Sequence, residues 1–170
     1  MTYLIVSAAT EGSRYVDCLQ EQRQMFGARY LGLVVPDRGD WASNTKIKPD
    51  AIREGFNHAR MVMWVDADCL FAPPDEPPPG NYDIWTAKNI CTDHRNRISA
   101  AFIMFRNNVR TKAFLRHWER ANNRHSKDHP ALTRTIQQLR NRVSIGDMTD
   151  WLGYHEINTL APERYTCMSE

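Results

Sequence analysis

Hydrophobic positions in the first seventy residues alternate between two spacings. Apolar runs at 3–9, 30–35 and 61–65 are typical of buried strands, and each is followed by polar or turn-forming residues. Between them, hydrophobic residues recur at helical spacing over 13–26 and again from Pro49 onward. This order of strand, helix, strand, helix, strand predicts a parallel α/β sheet with right-handed crossovers.

The second half of the chain continues the pattern less regularly. Five prolines between 73 and 80 predict a stiff, extended surface loop. Beyond it, the sequence predicts two strands, two helices and two short strands, at 82–87, 98–105, 109–122, 130–140, near Val143 and near Tyr154. Because neither an internal repeat nor a linker interrupts the sequence, we predict a single compact domain over 1–170.

Composition narrows the class of protein. A chain of 170 residues with 42% hydrophobic and 25% charged residues is typical of a globular domain and excludes general disorder. No apolar run reaches the ~20 residues of a membrane-spanning helix, so we expect no membrane partner. The four cysteines form no C-x-x-C pair, which argues against a zinc ribbon or a disulfide scaffold. A cytoplasmic protein with reduced thiols is the expectation.

Two carboxylates mark the end of the third predicted strand. Asp66 and Asp68 directly follow the apolar run at 61–65. Alternate residues of an extended segment point the same way, so both acids can face one point. Open α/β sheets bind ligands beyond the carboxyl ends of their strands, and paired carboxylates suit Mg²⁺ or Mn²⁺. The sequence therefore predicts a Mn²⁺ or Mg²⁺ site here, although so short a motif also occurs by chance at solvated strand ends.

Three motifs in the same order resemble one family. The first is Thr45-Lys46-Ile47 followed by V-M-W-V-D-A-D-C-L-F at 62–71, the second is I-S-A-A-F-I-M-F-R-N at 98–107 with a later F-L-x-x-W, and the third is D-H-P-A-L at 128–132. Together they resemble nucleotide-diphospho-sugar glycosyltransferases with the GT-A fold, above all the glycogenin-like and galactosyl/xylosyl branches. The resemblance implies a Rossmann-like, mostly parallel sheet flanked by helices. The short chain, which lacks the family's C-terminal H-x-x-G-x-x-K-P-W element, suggests a minimal, phage-type member.

The resemblance also implies roles for single residues. Donor binding falls to Ser7, Ala8 and Thr10 around the nucleoside and to Lys46, Asp66, Ala67 and Asp68, with Asp66 on the ribose or the metal. The metal falls to Asp66 and Asp68, with His155 as the late candidate for a third ligand. Asp128 is the catalytic candidate, as base or as stabiliser of an oxocarbenium-like transition state. The alternative for Asp128 is an N-terminal cap of the helix at Pro130.

Basic residues concentrate in one stretch and bear on the acceptor. Ten lysines and arginines stand against two acids between Arg106 and Arg142. Within the helix at 109–122, a stripe of like charges recurs every four residues and continues just past its end. The acceptor or polyanion candidates are Arg106, Lys112, Arg116, Arg120, Arg124 and His129. A solvated helix face is the ordinary explanation, but clustered cations also bind phosphate backbones, so a hydroxylated base in DNA is one candidate acceptor.

Three functions are therefore compared. The first is a metal-dependent hexosyltransferase that takes a sugar from a nucleotide-diphosphate donor, foremost a UDP-sugar. The second is a sugar-phosphate nucleotidyltransferase, which would need a glycine-rich basic loop where this chain has Thr10-Glu11-Gly12-Ser13-Arg14. The third is a nucleic-acid-binding module with no chemistry, for which Asp66 and Asp68 would be a disadvantage because they repel phosphate. Oligomeric state is left open.

Overall fold

The computed structural model describes residues 3–88, 98–124 and 127–152, together with the backbone of 158–159. The strands are β1 (Leu4–Thr10), β2 (Tyr30–Val35), β3 (Met61–Val65), β4 (Cys69–Leu70), β5 (Ile84–Lys88), β6 (Ile98–Arg106), β7 (Ile145–Asp147) and β8 (Asn158–Thr159). The helices are α1 (Tyr15–Phe26), α2 (Trp41–Thr45), α3 (Lys48–Gly55), α4 (Val109–Asn122) and α5 (Asp128–Leu139), with a 3₁₀ turn at Gly27–Arg29.

Six of the strands form one sheet in the order β2-β1-β3-β6-β5-β7. β1 pairs in parallel with β2 and β3, and β5 pairs in parallel with β7. β6 lies between β3 and β5 and is antiparallel to both. The carboxyl ends of the other five strands therefore meet at one edge of the sheet, which we call the carboxyl edge.

Both faces of the sheet are covered. On β1, Leu4, Val6 and Ala8 belong to a core shared with α3, α4 and α5, whereas Tyr3 and Ile5 belong to a second core on the other face. This division follows from the alternation of side chains along a strand. Because both faces are buried at β1, β3 and β5, these strands carry almost continuous apolar runs instead of an alternating pattern.

The proline-rich loop is held by donors from the rest of the protein. Pro74 O accepts hydrogen bonds from Tyr3 Oη at 2.6 Å and from Arg29 Nη1 at 3.1 Å. Further along the loop, carbonyl oxygens accept from Trp85 Nε1 and Trp151 Nε1. Prolines lack an N–H group, so this extended segment offers mainly acceptors, which aromatic side chains and Arg29 satisfy.

The predicted fold class is confirmed: the chain is a single α/β domain with a mostly parallel sheet between helices. The antiparallel position of β6 was not predicted, and neither was α2, a short helix capped by Asp40. The strand predicted near Val143 is β7, and Tyr154 lies outside the described residues. None of the helices described is both long enough and apolar enough to cross a membrane.

Candidate active site

Asp66 and Asp68 lie at the carboxyl edge, in a tight turn that follows β3. Asp66 N donates to Ala101 O on β6 at 3.0 Å, so the turn begins from a fixed point on the sheet. Cys69 N donates back to Asp66 O at 3.0 Å and closes the turn. Asp68 lies inside this turn, half-buried, and its Oδ1 accepts a long contact of 3.7 Å from Cys69 Sγ. The predicted placement of both acids at a strand end is correct.

Gln22 on α1 holds the two ends of this turn. Its Nε2 donates to Asp66 O at 2.9 Å and to Cys69 O at 2.6 Å, while its Oε1 accepts from Tyr30 Oη at 2.8 Å. The Gln22 side chain is completely buried. Every strong hydrogen-bonding group of the amide is thus engaged, and the position of the turn is tied to α1 and β2 as well as to β3.

Lys48, the first residue of α3, joins Asp66 to Asp128. Its Nζ lies 2.8 Å from Asp66 Oδ1 and 2.7 Å from Asp128 Oδ2, and it donates to Ala100 O at 3.0 Å. The Lys48 side chain is 7% exposed and that of Asp128 is 9% exposed. Asp66 Oδ1 accepts a further hydrogen bond of 2.7 Å from Trp64 Nε1. We call Lys48, Asp66 and Asp128 the lysine cluster.

Two carboxylates share one ammonium group in this cluster. This excess of negative charge affects the pKa of Asp66. Burial raises the pKa of Asp66; the Lys48 ammonium opposes this shift, and the Asp128 and Asp68 carboxylates add to it. Burial alone would lower the pKa of Lys48, but Asp128 and Asp66 together raise it above its ordinary value. Lys48 is therefore charged at neutral pH, and Asp66 takes up protons more readily than an ordinary aspartate.

Asp128 is the first residue of α5 and not its N-terminal cap. Lys127 occupies the cap position, without a capping hydrogen bond from its side chain. The interpretation of Asp128 as the cap is therefore wrong, and so is the predicted start of that helix at Pro130. Instead the buried Asp128 carboxylate faces Lys48, which brings the start of α5 to the end of β3.

The other predicted donor-site residues lie on several elements. Ser7, Ala8 and Thr10 are buried on β1, with Thr10 at its carboxyl end. Lys46 follows α2 as its C-terminal cap, and its carbonyl accepts from Asn122 Nδ2 at 3.4 Å. The lysine that contacts the acids is Lys48. Ala67 is buried within the turn.

His155 lies outside the described residues, so its predicted role stays a prediction. In the described ranges 3–88, 98–124 and 127–152, no three His, Cys, Asp or Glu side chains are grouped to hold a metal. Asp68 and the second oxygen of Asp66 are nevertheless carboxylate ligands of the type that Mg²⁺ and Mn²⁺ use together with substrate phosphates. A two-carboxylate metal site at this turn therefore fits the side chains present.

The basic residues of α4 lie along one exposed face. In the part of the chain that the structure describes, no ion pair or side-chain hydrogen bond engages the basic stripe, namely Lys112, Arg116, Arg120 and Arg124. Lys112 and Arg116 also line a groove of about 470 Å³ between α3 and α4. Beside them, Arg53 forms an ion pair with Glu119, the only acidic residue of α4.

Arg106 and His129 lie apart from the basic stripe. Arg106 ends β6 at the opposite edge of the sheet, where its Nη1 donates to Asn81 Oδ1 at 2.8 Å and its guanidinium lies over the Trp85 ring. His129 Nε2 lies 2.7 Å from Ile98 O at the start of β6, close to Asp128 in sequence. Only His129 is thus brought near the lysine cluster.

Sequence reasoning missed Lys48 and Gln22. A signal existed for Lys48, because it stands four residues before the apolar Ile52 in a segment of helical spacing, and residues four apart share a helix face. Gln22 likewise lies within the helical spacing of 13–26, but its contacts with the turn after β3 depend on tertiary structure.

Comparison with solved structures identifies this arrangement of strands and helices. A glycosyltransferase involved in the glycosylation of the major capsid of PBCV-1 matches with a TM-score of 0.65 and 12% identity, over 89% of this chain and 83% of that one. The chain has a GT-A-like glycosyltransferase fold. GlyE of Streptococcus pneumoniae TIGR4 matches at a TM-score of 0.53 and 11% identity, over 88% of this chain and 46% of that one.

The bifunctional glycosyltransferase WbbM matches at a TM-score of 0.52 and 9% identity, over 86% of this chain and 38% of its own. The chain thus spans most of the length of the first of these proteins but less than half of GlyE and WbbM. No family model and no curated protein sequence matches. With identities this low, the likeness establishes the fold, and the chemistry must be argued from the side chains.

Proposed function

We propose that the chain is a divalent-metal-dependent glycosyltransferase that moves a hexosyl group from a nucleotide-diphosphate sugar, foremost a UDP-sugar, to a hydroxyl acceptor. The observation that carries the proposal is the lysine cluster at the carboxyl edge, beside the half-buried Asp68. Ligands of open α/β sheets bind at that edge. Buried acids with shifted pKa values are more frequent at active sites than elsewhere.

Asp68 and the second oxygen of Asp66 would hold the metal. Asp66 Oδ1 is engaged by Lys48 and by Trp64 Nε1, and neither of these contacts occupies its other oxygen. When bound, Mn²⁺ or Mg²⁺ would act as a Lewis acid that neutralises the diphosphate leaving group. Gln22 keeps the turn with Asp68 in place, so this acid needs little rearrangement when it binds.

Asp128 would act on the acceptor. In the transfer, the bond between the anomeric carbon and the diphosphate oxygen breaks and the electron pair leaves with the nucleoside diphosphate. A new bond forms between the anomeric carbon and the acceptor oxygen, whose proton must leave. Asp128, which faces the Lys48 ammonium group, would accept that proton or stabilise the positive charge at the anomeric carbon.

The acceptor is proposed to be a polyanion, with a hydroxylated base in DNA as its concrete form. The support is the basic stripe on α4, whose exposed cations have no acidic partner among the described residues. Like charges four residues apart cost a helix about 0.2–0.5 kcal/mol per pair, so the stripe weakens α4 unless an anion offsets it. A flipped or single-stranded base would then bring its hydroxyl to the donor.

Thermal unfolding with nucleotides and metal tests the donor side. UDP, GDP and UDP-sugars are each added with and without Mn²⁺, and a ligand at one hundred times its Kd is expected to add about 2.7 kcal/mol of stability. Stabilisation that needs both components should be lost in Asp68→Asn and kept in Glu21→Gln, which neutralises an exposed acid on α1. No stabilisation by any nucleotide, together with tight DNA binding, would instead favour a binding module without chemistry.

Salt dependence tests the acceptor side. Affinity for DNA should fall linearly with salt on logarithmic axes, by a slope of about 0.9 for each phosphate neutralised. Replacing Arg116 and Arg120 by glutamine should lower the slope by about 2, whereas replacing Arg23 and Arg60, exposed elsewhere, should leave it unchanged. Binding weaker than millimolar without salt dependence would exclude the polyanion.

A further inference from the structure

Trp41 is a large aromatic side chain left in solvent. The protein has five tryptophans. Trp64, Trp85 and Trp118 are at most 2% exposed, and Trp151 is half-buried, but Trp41 is 58% exposed. Burying an aromatic ring is strongly favourable, so a tryptophan that the core does not use is available to a ligand.

The segment around Trp41 is held in place by its own polar groups. Asp40 Oδ1 accepts from Ser43 N at 2.9 Å and caps the short helix α2. Asp37 Oδ1 accepts from Gly39 N and from Asn44 Nδ2, both at 2.9 Å. These carboxylates are engaged within the turn, and the hydrogen bonds hold their pKa values below the ordinary value. Trp41 therefore stands on an ordered support, and little conformational freedom remains to be lost on binding.

Trp41 lies next to the lysine cluster. Its ring centroid is 5.7 Å from Lys127 Nζ, and Lys127 directly precedes Asp128. From the other direction, α2 leads through Lys46 and Ile47 into Lys48, which contacts Asp128. The exposed ring and the exposed ammonium group therefore stand together, and Lys127 is the residue directly before Asp128 of the lysine cluster.

The surrounding charge indicates what this pair would bind. Asn122, at the end of α4, donates to Lys46 O, so the end of α4 packs against the segment that joins α2 to Lys48. A flat aromatic surface beside a lysine suits a ligand with a planar ring and a phosphate. Nucleobases stack on aromatic side chains whatever their identity, while lysine and arginine follow the phosphate backbone.

We propose that Trp41 and Lys127 form an acceptor subsite that binds one nucleotide of a single-stranded or flipped-out nucleic acid, with the base stacked on the Trp41 ring and the adjacent phosphate on Lys127. The subsite rests on the proposed polyanionic acceptor and makes it specific to nucleic acid. It also assigns Trp41 a positioning role, since a base held there would set the distance of its neighbour from Asp128.

Tryptophan fluorescence can report on this contact directly. Oligo-dT, an abasic oligonucleotide of equal length and a neutral maltooligosaccharide are titrated into the full chain. Buried Trp64, Trp85 and Trp118 are shielded from stacking, so quenching reports on Trp41 and on the half-buried Trp151, and the part that Trp41→Ala removes belongs to Trp41. We expect quenching by oligo-dT, much less by the abasic strand and none by the neutral sugar. Quenching by the sugar but not by oligo-dT would overturn the proposal.

Variants separate stacking from charge. Trp41→Ala should weaken oligo-dT binding about 5- to 150-fold without altering binding of the abasic strand, and Trp41→Phe should restore much of the loss. Lys127→Gln should weaken both ligands. Met25→Ala, which trims another exposed apolar side chain on α1, should weaken neither. Equal affinity of wild type and Trp41→Ala for oligo-dT would refute the subsite.

The donor-side test keeps the two proposals distinguishable. If Trp41→Ala leaves oligo-dT binding unchanged while the protein is still stabilised by nucleotide with Mn²⁺, the subsite fails and the transferase proposal stands. If stacking is lost in Trp41→Ala but no nucleotide stabilises the wild type, the subsite is supported and the transferase proposal fails. Oligo-dT and abasic strands that bind the wild type equally would likewise count against the subsite.

Discussion

Two buried aspartate sites lie at opposite edges of the same sheet and differ in how their charge is satisfied. Asp83, just before β5, accepts hydrogen bonds from Ser144 N at 2.9 Å, Ser144 Oγ at 3.0 Å, Asn108 Nδ2 at 2.8 Å and Arg110 Nη1 at 3.4 Å. At the carboxyl edge, Asp66 and Asp128 share one buried lysine.

The pKa directions follow this difference in donors. Burial works to raise the pKa of Asp83, but its hydrogen bonds outweigh burial and hold it below the ordinary value. Burial does raise the pKa of Asp66, since one shared ammonium group does not offset it. A carboxylate with a full set of internal donors serves the fold, whereas carboxylates with too few are suited to bind something else.

The largest effect on stability is expected from removing the shared cation. Lys48→Met leaves the buried Asp128 carboxylate and the partly exposed Asp66 carboxylate without their shared cation, so the free energy of unfolding at neutral pH should fall by about 3 kcal/mol. Urea unfolding measures it. Lys46→Met is the matched control, with an expected change within about 0.5 kcal/mol. A loss below about 1 kcal/mol for Lys48→Met would mean that the two acids do not depend on this lysine.

Neutralising the fully bonded acid is expected to cost less. Asp83→Asn places an amide donor against the donors of Ser144, and should lower the free energy of unfolding by about 2–3 kcal/mol. For a chain of this size the melting temperature should fall by about 4–12 °C. The stabilisation by nucleotide with Mn²⁺ should remain, because Asp83 lies at the edge of the sheet opposite the carboxyl edge. Its disappearance would contradict the assignment of Asp83 to the fold.

The two sites should also respond to pH with opposite signs. The contribution of Asp83 is present above the ordinary pKa of 3.8 and is lost as pH falls through its lowered folded pKa, so the cost of Asp83→Asn should shrink in acid. Asp66 binds protons more tightly in the folded state, so its contribution declines as pH rises above 3.8 and the cost of Asp66→Asn should shrink toward neutral pH. Urea unfolding of wild type and both variants from about pH 3 to pH 7 measures this, and equal signs would contradict it.

The smallest effects should come from single donors to Asp83. Ser144→Ala removes the hydroxyl but keeps the backbone N–H, and should cost about 1 kcal/mol. Arg110→Gln removes an ion pair whose arginine side chain is 67% exposed, and should cost about 0–0.5 kcal/mol. Thermal unfolding of both variants measures which of the two substitutions lowers stability more. A larger cost for Arg110→Gln would show that Asp83 depends on charge more than on the count of its hydrogen bonds.

Local patterns predicted most of the fold. The apolar runs and helical spacing gave the strands β1, β2, β3, β5 and β6 and four of the five helices, because burial decides those elements within short windows. The place of β6 between β3 and β5 is a choice of partners made across the chain, and nothing in its apolar run encodes direction. The short helix α2 depends on one capping aspartate and has too few residues to show a period.

The candidate site was predicted only in part, because the sequence does not show in which direction a side chain points in the folded protein. A short stretch of sequence is enough to locate the strand end that precedes Asp66 and Asp68. Asp128 was suggested by the family resemblance. Lys46 and Lys48 flank Ile47, and the motif alone favoured Lys46, but the contacts with Asp66 and Asp128 belong to Lys48. Gln22 contributes through backbone carbonyls of a distant turn, which no sequence window could reveal.

The lysine cluster also has a consequence for folding kinetics. Lys48, Asp66 and Asp128 come from three well-separated points of the chain, so loop-closure entropy must be overcome before their contacts can form. If they form after the folding transition state, substitutions there will accelerate unfolding and leave the folding rate nearly unchanged. A partly folded chain would then lack the assembled cluster, and nucleotide binding with metal could serve as a reporter of the last stage of folding.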